Sequence, residues 1–292
     1  MRISDLHKFS PVLLTLLVFL LAQAVGSVLL VVIGMFVSPG FNDAVRAYIN
    51  GDAQEVSMFD LLPVSLFALS LMAVNIIAVL ICHFRLHYIR FVTSGDIASI
   101  NWRPGMLGIV GGVLGAMSIS VLTDNVDLPE TMKQLSLAMP HDIWGVLALA
   151  IVGPITEELL FREAIEGEML RREVTPWVAI IISALAFSIA HLNLAQGLYA
   201  LPLGILFGII YYKTGNIVLT SLLHILNNSI AAIQLYTMEE SAEDITYADM
   251  FGSHFGAYAF MAISGVLCIV LIKFFWDSYR PCEETKKRPN LT

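Results

Sequence analysis

Eight times along the chain, an apolar run of bilayer length is followed by a short polar stretch. The runs fall at 11–37, 58–82, 104–123, 142–170, 176–193, 194–213, 215–236 and 255–276. Each is close to the roughly 20 residues with which a helix crosses a hydrocarbon core. The fifth and sixth are separated only by a tight turn near Asn193. The first follows a basic N-terminal stretch, as in a secretory leader. It is longer than the roughly 7–15 residues of a leader's apolar segment and lacks a cleavage site, so it is read as a retained span. The pattern predicts an all-α, polytopic integral membrane protein with about eight transmembrane helices, forming a single domain over 1–292.

Composition sharpens this picture. The chain is 57% hydrophobic and only 14% charged, against roughly 25% charged residues in a soluble domain. No polar stretch is long enough to bury a second core. Nothing supports a nucleic-acid partner; the partner that the composition implies is the lipid bilayer. Cys82, Cys268 and Cys282 show no metal-type or disulfide spacing.

The charges fix an expected orientation. With a cytoplasmic N-terminus, all of the 16 Lys and Arg residues except Arg46 and Lys133 fall on the inner side, and the outer loops are acidic at Glu239, Glu240, Glu243, Asp244 and Asp249. Basic loops stay cytoplasmic, so both termini are expected inside, in the plasma membrane of a prokaryote.

The distribution of ionisable groups at membrane depth points to chemistry. A charge in the bilayer survives mainly where it faces a protein interior and works. The first, third and sixth runs have no acid, base or histidine in their interiors, and the second has a lone Asn75 at depth. The fourth carries Glu157, Glu158 and Arg162, the fifth ends in His191, and the seventh carries His224, Asn227 and Asn228. Glu158 and Arg162 are four apart, which suits ion pairing along a helix. Glu157 lies roughly 100° around the helix from Glu158, so one acid can pair with Arg162 while the other faces a cavity. His224 and Asn228 share a face, with Asn227 a competitor for the polar role, and Phe187 stands one turn before His191. Glu163, Glu166 and Glu168 are assigned to a solvated cytoplasmic helix end.

One condition follows from depth. If the fourth helix ended at Arg162, Glu157 would lie about 8 Å from the inner face and His191 about 22 Å. They meet only if that helix runs on to Arg171 and Arg172.

The segments E-E-L-L-F-R (157–162), F-S-I-A-H (187–191) and H-I-L-N-N (224–228) resemble the three motifs of the CPBP family, which comprises the CAAX prenyl-endopeptidases and the bacteriocin-processing or Abi proteins. The patterns EExxxR, FxxxH and HxxxN occur in order, each on its own apolar run, and the resemblance covers roughly 140–236. It implies an intramembrane endopeptidase acting on a membrane-associated protein or peptide. In that implied scheme Glu157 is the general base, His191 holds the water with it, and His224 and Asn228 donate to the oxyanion. Glu158 and Arg162 orient the base. The family is commonly labelled metalloprotease, and Glu157, His191 and His224 could supply three ligands to a divalent metal such as zinc. No HExxH is present, and a Glu/His-activated water with no cofactor is also compatible; the sequence leans slightly against a tightly bound zinc. A proton- or ion-coupled transporter and a non-catalytic immunity or scaffold protein are the alternatives.

Overall fold

The computed structural model describes residues 7–50, 61–124, 130–237 and 246–280. Both chain termini, the acidic stretch from Glu239 to Asp244, Cys282 and the start of the second apolar run lie outside these residues.

Every regular element among the described residues is a helix, and no strand occurs among them. In chain order the helices are α1 (Ser10–Val37), α2 (Pro39–Asn50), α3 (Val64–Phe84), α4 (Ser94–Ala98), α5 (Trp102–Thr123) and α6 (Glu130–Ala138). A long helical segment, α7 (Ile143–Arg171), follows. Then come α8 (Pro176–Ala190), α9 (Leu194–Thr214), α10 (Ile217–Thr237), α11 (Tyr247–Met250) and α12 (His254–Ser278).

Seven of these are long and apolar enough to cross a membrane: α1, α3, α5, α7, α9, α10 and α12, the first counted from His7. The fifth apolar run departs from its expected 176–193. Its helix, α8, has 15 residues, about 22 Å at 1.5 Å per residue. It stops because the chain turns back at Leu192, whose φ is +51°, and Asn193 caps α9 by accepting from the Gln196 N–H. His191, the last residue before that turn, therefore sits short of the far surface.

Contacts between helix ends define two faces. On one, Arg172 of α7 donates to Ser10 Oγ at the start of α1 (2.7 Å), and Arg171 donates to the Tyr88 carbonyl after α3 (2.9 Å). There too the Asn216 amide before α10 donates to the Asp96 carbonyl (2.8 Å). On the other, the Tyr247 N–H meets Asp124 at 2.9 Å, and the His141 and Tyr236 rings lie 4.7 Å apart. The first face carries Arg85, Arg90, Arg171, Arg172 and Lys213, and is called the basic face below.

Helix packing uses small residues, as lipid-embedded interfaces do. Gly108 and Gly111 of α5 admit Phe275 and Leu271 of α12, and a Cβ at Gly112 would stand 2.3 Å from Leu223 of α10. By contrast α1 and α12 expose long apolar faces, including Leu13, Leu21, Val28, Ile263 and Ile269, as lipid-facing helices must.

Candidate active site in the core of the helical bundle

The site is organised by irregularities in α7. Residues Ala148–Val152 and Leu159–Gly167 are π-helical, a geometry that concentrates at functional sites. The first has a cause in the sequence. The Gly153 N–H reaches back five residues to the Ala148 carbonyl, so it no longer serves Leu149. The next residue, Pro154, has no N–H to offer. The Leu149 carbonyl therefore loses both of its helical donors, and an unpaired buried carbonyl is costly. Asn228 of α10 supplies the replacement: its Nδ2 donates to the Leu149 oxygen at 3.0 Å. Asn228 is thus a clasp between α10 and the bulge as well as a polar group in the cavity.

The second π segment carries Glu158 at its entry and Arg162 within it. Both side chains have no exposure, and Arg162 Nε stands 3.2 Å from Glu158 Oε2. The contact is ionic rather than a directed hydrogen bond, since none of these atoms has a hydrogen-bond partner among the described residues. The guanidinium is also held by aromatic faces. Its Cζ lies 4.9 Å from the Phe187 ring centre and 5.4 Å from that of Phe207, within the range at which a ring attracts a cation.

Glu158 uses its other oxygen on α10, with His224 Nδ1 3.0 Å from Glu158 Oε1. An ionised carboxylate only accepts, so Nδ1 is then the donor and Nε2 is turned to the remaining side. There Glu157 Oε2 lies 3.6 Å away. One imidazole thereby joins the two adjacent acids. Arg162, Glu158, His224 and Glu157 form a continuous line from the buried interior to a cavity of about 510 Å³, which Glu157, His191, His224 and Asn228 all line. Glu157 is the accessible acid, with 24% of its side chain exposed. His191 is held by its Nδ1 against the Phe187 carbonyl (2.8 Å), which leaves Nε2 for the cavity. Phe187 packs edge-on against both His191 and His224.

Two sets of residues depart from, or were absent from, the reading of the sequence. Glu163 and Glu166 do not belong to a solvated helix end. Glu163 is 4% exposed and Glu166 is fully buried, because the wide turns of α7 are enclosed on all sides and Leu159 to Gly167 are all buried. Glu163 accepts from the Tyr211 hydroxyl (2.6 Å) and from Arg171 (3.1 Å). Room for the two acids comes from glycine: a Cβ on Gly208 would come within 2.8 Å of Glu166, and one on Gly167 within 2.5 Å of the Tyr211 oxygen. Glu168 does lie near the surface, paired with Arg171 and Arg172. The second set is amide and phenol groups. The Tyr199 hydroxyl donates to Asn227 Oδ1 (2.9 Å), and Asn227 Nδ2 donates to Asn228 Oδ1 (3.1 Å), so Asn227 supports Asn228 instead of competing with it. Asn75 lines the same cavity and is fixed by Gln23 of α1 at 2.9 Å. A lone amide in each of two otherwise apolar spans was the available signal, since such groups seek each other within a bilayer.

Glu157, His191 and His224 share the cavity, yet among the described residues no three His, Cys, Asp or Glu side chains are arranged to hold a metal ion. His224 Nδ1 is already engaged by Glu158.

The double role of Asn228 gives a specific expectation. Asn228→Ala should reduce turnover by roughly 10²–10³-fold if it serves the oxyanion. It should also cost about 1–3 kcal/mol of stability by stranding the Leu149 carbonyl. Thermal unfolding in detergent separates the two, because a purely chemical role leaves the midpoint in place.

Comparison with known proteins follows the same residues. Residues 139–230 match the family model described as Type II CAAX prenyl endopeptidase Rce1-like. The membrane-embedded CAAX protease MroQ of Staphylococcus aureus (strain USA300) is 28% identical over 110 residues, covering 36% of this chain and 44% of MroQ. The UPF0177 protein YxdF of Lactococcus lactis subsp. lactis (strain IL1403) is 27% identical over 165 residues, covering 52% of this chain and 87% of that protein. The chain thus spans less than half the length of MroQ. No solved structure matches.

Proposed function

We propose, from the match of residues 139–230 to that family model and the three motifs within it, that the chain is a CPBP-family, membrane-embedded endopeptidase acting by a Glu/His-activated water. The observation that carries this reading is the line Arg162–Glu158–His224–Glu157, which ends at a cavity also lined by His191 and Asn228.

In the proposed cycle a water lies between Glu157 and His191. Glu157 takes its proton as the water oxygen bonds to the carbonyl carbon of the scissile peptide. A general base placed this way contributes about 10²–10⁴-fold. Negative charge gathers on the carbonyl oxygen, which meets the second Nδ2 hydrogen of Asn228 and, when the ring carries both protons, the Nε2–H of His224. Donors aimed at a developing oxyanion act strongly where water is scarce. The C–N bond then breaks, and the amine leaves with the proton that Glu157 carries. Glu158 and Arg162 are positioning residues in this scheme. Glu158 fixes the His224 ring, and Arg162 holds Glu158. The substrate is a membrane-associated protein or peptide. In the proposed orientation the basic face and both termini are cytoplasmic.

The test is hydrolysis of a mixed set of apolar peptides by membranes containing the protein, read by mass spectrometry. Cleavage is expected with the wild type, absent with Glu157→Gln, and maintained in strong chelators. Loss on chelation, restored by zinc that the His224→Ala protein cannot retain, would overturn the metal-free scheme.

A further inference from the structure

The cavity is asymmetric across the bundle. Towards the basic face it is closed. Glu158, Leu160, Arg162, Ala164, Ile165 and Glu166 are all fully buried, and the Arg171 contacts to Glu163 and Tyr88 lie beyond them. From Glu157 to Arg171 this closed length is about 20 Å at 1.5 Å per residue. Towards the other face the lining runs to helix ends. It includes Thr123, the last residue of α5; Ser136 of α6; and Gln196, in the first turn of α9. A second cavity of about 350 Å³ shares Leu149, Tyr199, Asn227 and Asn228 with the first and extends to Tyr247 and Met250 on that same face.

The lining also selects by charge. Among the described residues that line the two cavities there is no Lys or Arg, and the acid is Glu157 itself. A substrate carboxylate entering here would face Glu157 with no Lys or Arg to offset it, at a site of low dielectric where such repulsion is costly. Apart from His191 and His224, the rest of the lining is mainly aliphatic and aromatic, with interspersed amides such as Asn75, Asn227 and Asn228 and the hydroxyls of Ser120, Thr123 and Ser136, which suit a peptide backbone flanked by apolar residues.

We propose that the site takes an uncharged, apolar internal peptide segment, and takes it from the face opposite the basic loops, which under the proposed orientation is the outer surface. The two cavities on either side of Asn227 and Asn228 accommodate chain on both sides of the scissile bond. This rests on the peptidase reading for what happens to the segment, but access itself does not depend on turnover and is measured separately.

The experiment uses the full chain with Cys82, Cys268 and Cys282 replaced, and single cysteines introduced as Ser136→Cys, Gln196→Cys or Arg90→Cys. Intact cells are treated with a membrane-impermeant maleimide. Ser136→Cys and Gln196→Cys should label from outside, and Arg90→Cys only after permeabilisation. Labelling of both cavity positions only after permeabilisation would overturn the assigned side, and either variant alone suffices if the other fails to accumulate. Charge selection is read by protection in the Glu157→Gln background, which retains the cavity without cleaving. There the introduced carboxamide removes the Glu157 charge, so the comparison is repeated with intact Glu157. An amidated, acetylated apolar peptide should slow labelling of Gln196→Cys severalfold in both backgrounds. The same peptide with a central Asp should protect less where Glu157 is intact. Equal or better protection by the Asp peptide with Glu157 intact would overturn the charge rule. Failure of either arm leaves the cleavage assays untouched, and failure of cleavage leaves the labelling pattern untouched.

Discussion

Turnover by the purified, reconstituted protein is expected to fall by about 10²–10⁴-fold on Glu157→Gln, while the thermal midpoint stays near that of the wild type. The substitution keeps the shape of a side chain that is partly exposed to the cavity and removes its capacity to take a proton. Among the described residues Glu157 has one close polar partner, His224 Nε2 at 3.6 Å, which is too long for a strong bond. Little folding energy is therefore at stake. Steady-state kinetics on a defined peptide, paired with unfolding of the same preparation, checks both halves. A loss of activity that tracks a loss of folded protein would assign Glu157 a structural role instead.

Arg162→Ala is expected to do the reverse in emphasis, costing about 3–5 kcal/mol of stability because it leaves a buried charge without its partner. The guanidinium is 0% exposed, stands 3.2 Å from Glu158, and lies against Phe187 and Phe207. Glu166, one turn further along α7, is fully buried in the field of the same cation. Removing Arg162 therefore strands the Glu158 carboxylate, withdraws the cation beside buried Glu166 and opens a hole between two rings. Arg162→Lys should recover only part of the loss, since an ammonium lacks the planar group that stacks between rings. Thermal unfolding and the yield of folded protein in detergent are the readouts. An unchanged midpoint in Arg162→Ala would show that the buried pair contributes nothing to the fold.

Much of this was legible in the residues. The apolar runs locate the long helices, and the concentration of acid and histidine groups at depth on three of them marks where the cavity lies. The continuation of α7 to Arg171, the condition for Glu157 and His191 to lie at similar depth, is met. What a single run of sequence cannot display is pairing between distant segments. His224 and Glu158 are 66 residues apart, and so is their role as a joint between two helices. The π turns are a second case. Gly153-Pro154 signals a break in regular hydrogen bonding, but only the packing of α10 reveals that Asn228 answers it. Glu163 and Glu166 are the third. Helical charge near a basic terminus reads as solvated, and it is the close approach of α9 through Gly208 that encloses these acids.

The central claim is that Glu157 drives hydrolysis of peptide bonds in membrane-associated chains. It is tested most directly by mapping protein termini in membranes from cells expressing the wild type or Glu157→Gln at matched levels. New N- and C-termini meeting at one bond, within an uncharged apolar segment, should be present with the wild type and missing with the variant. Identical sets of termini in the two membranes, with both proteins folded and inserted, would contradict it.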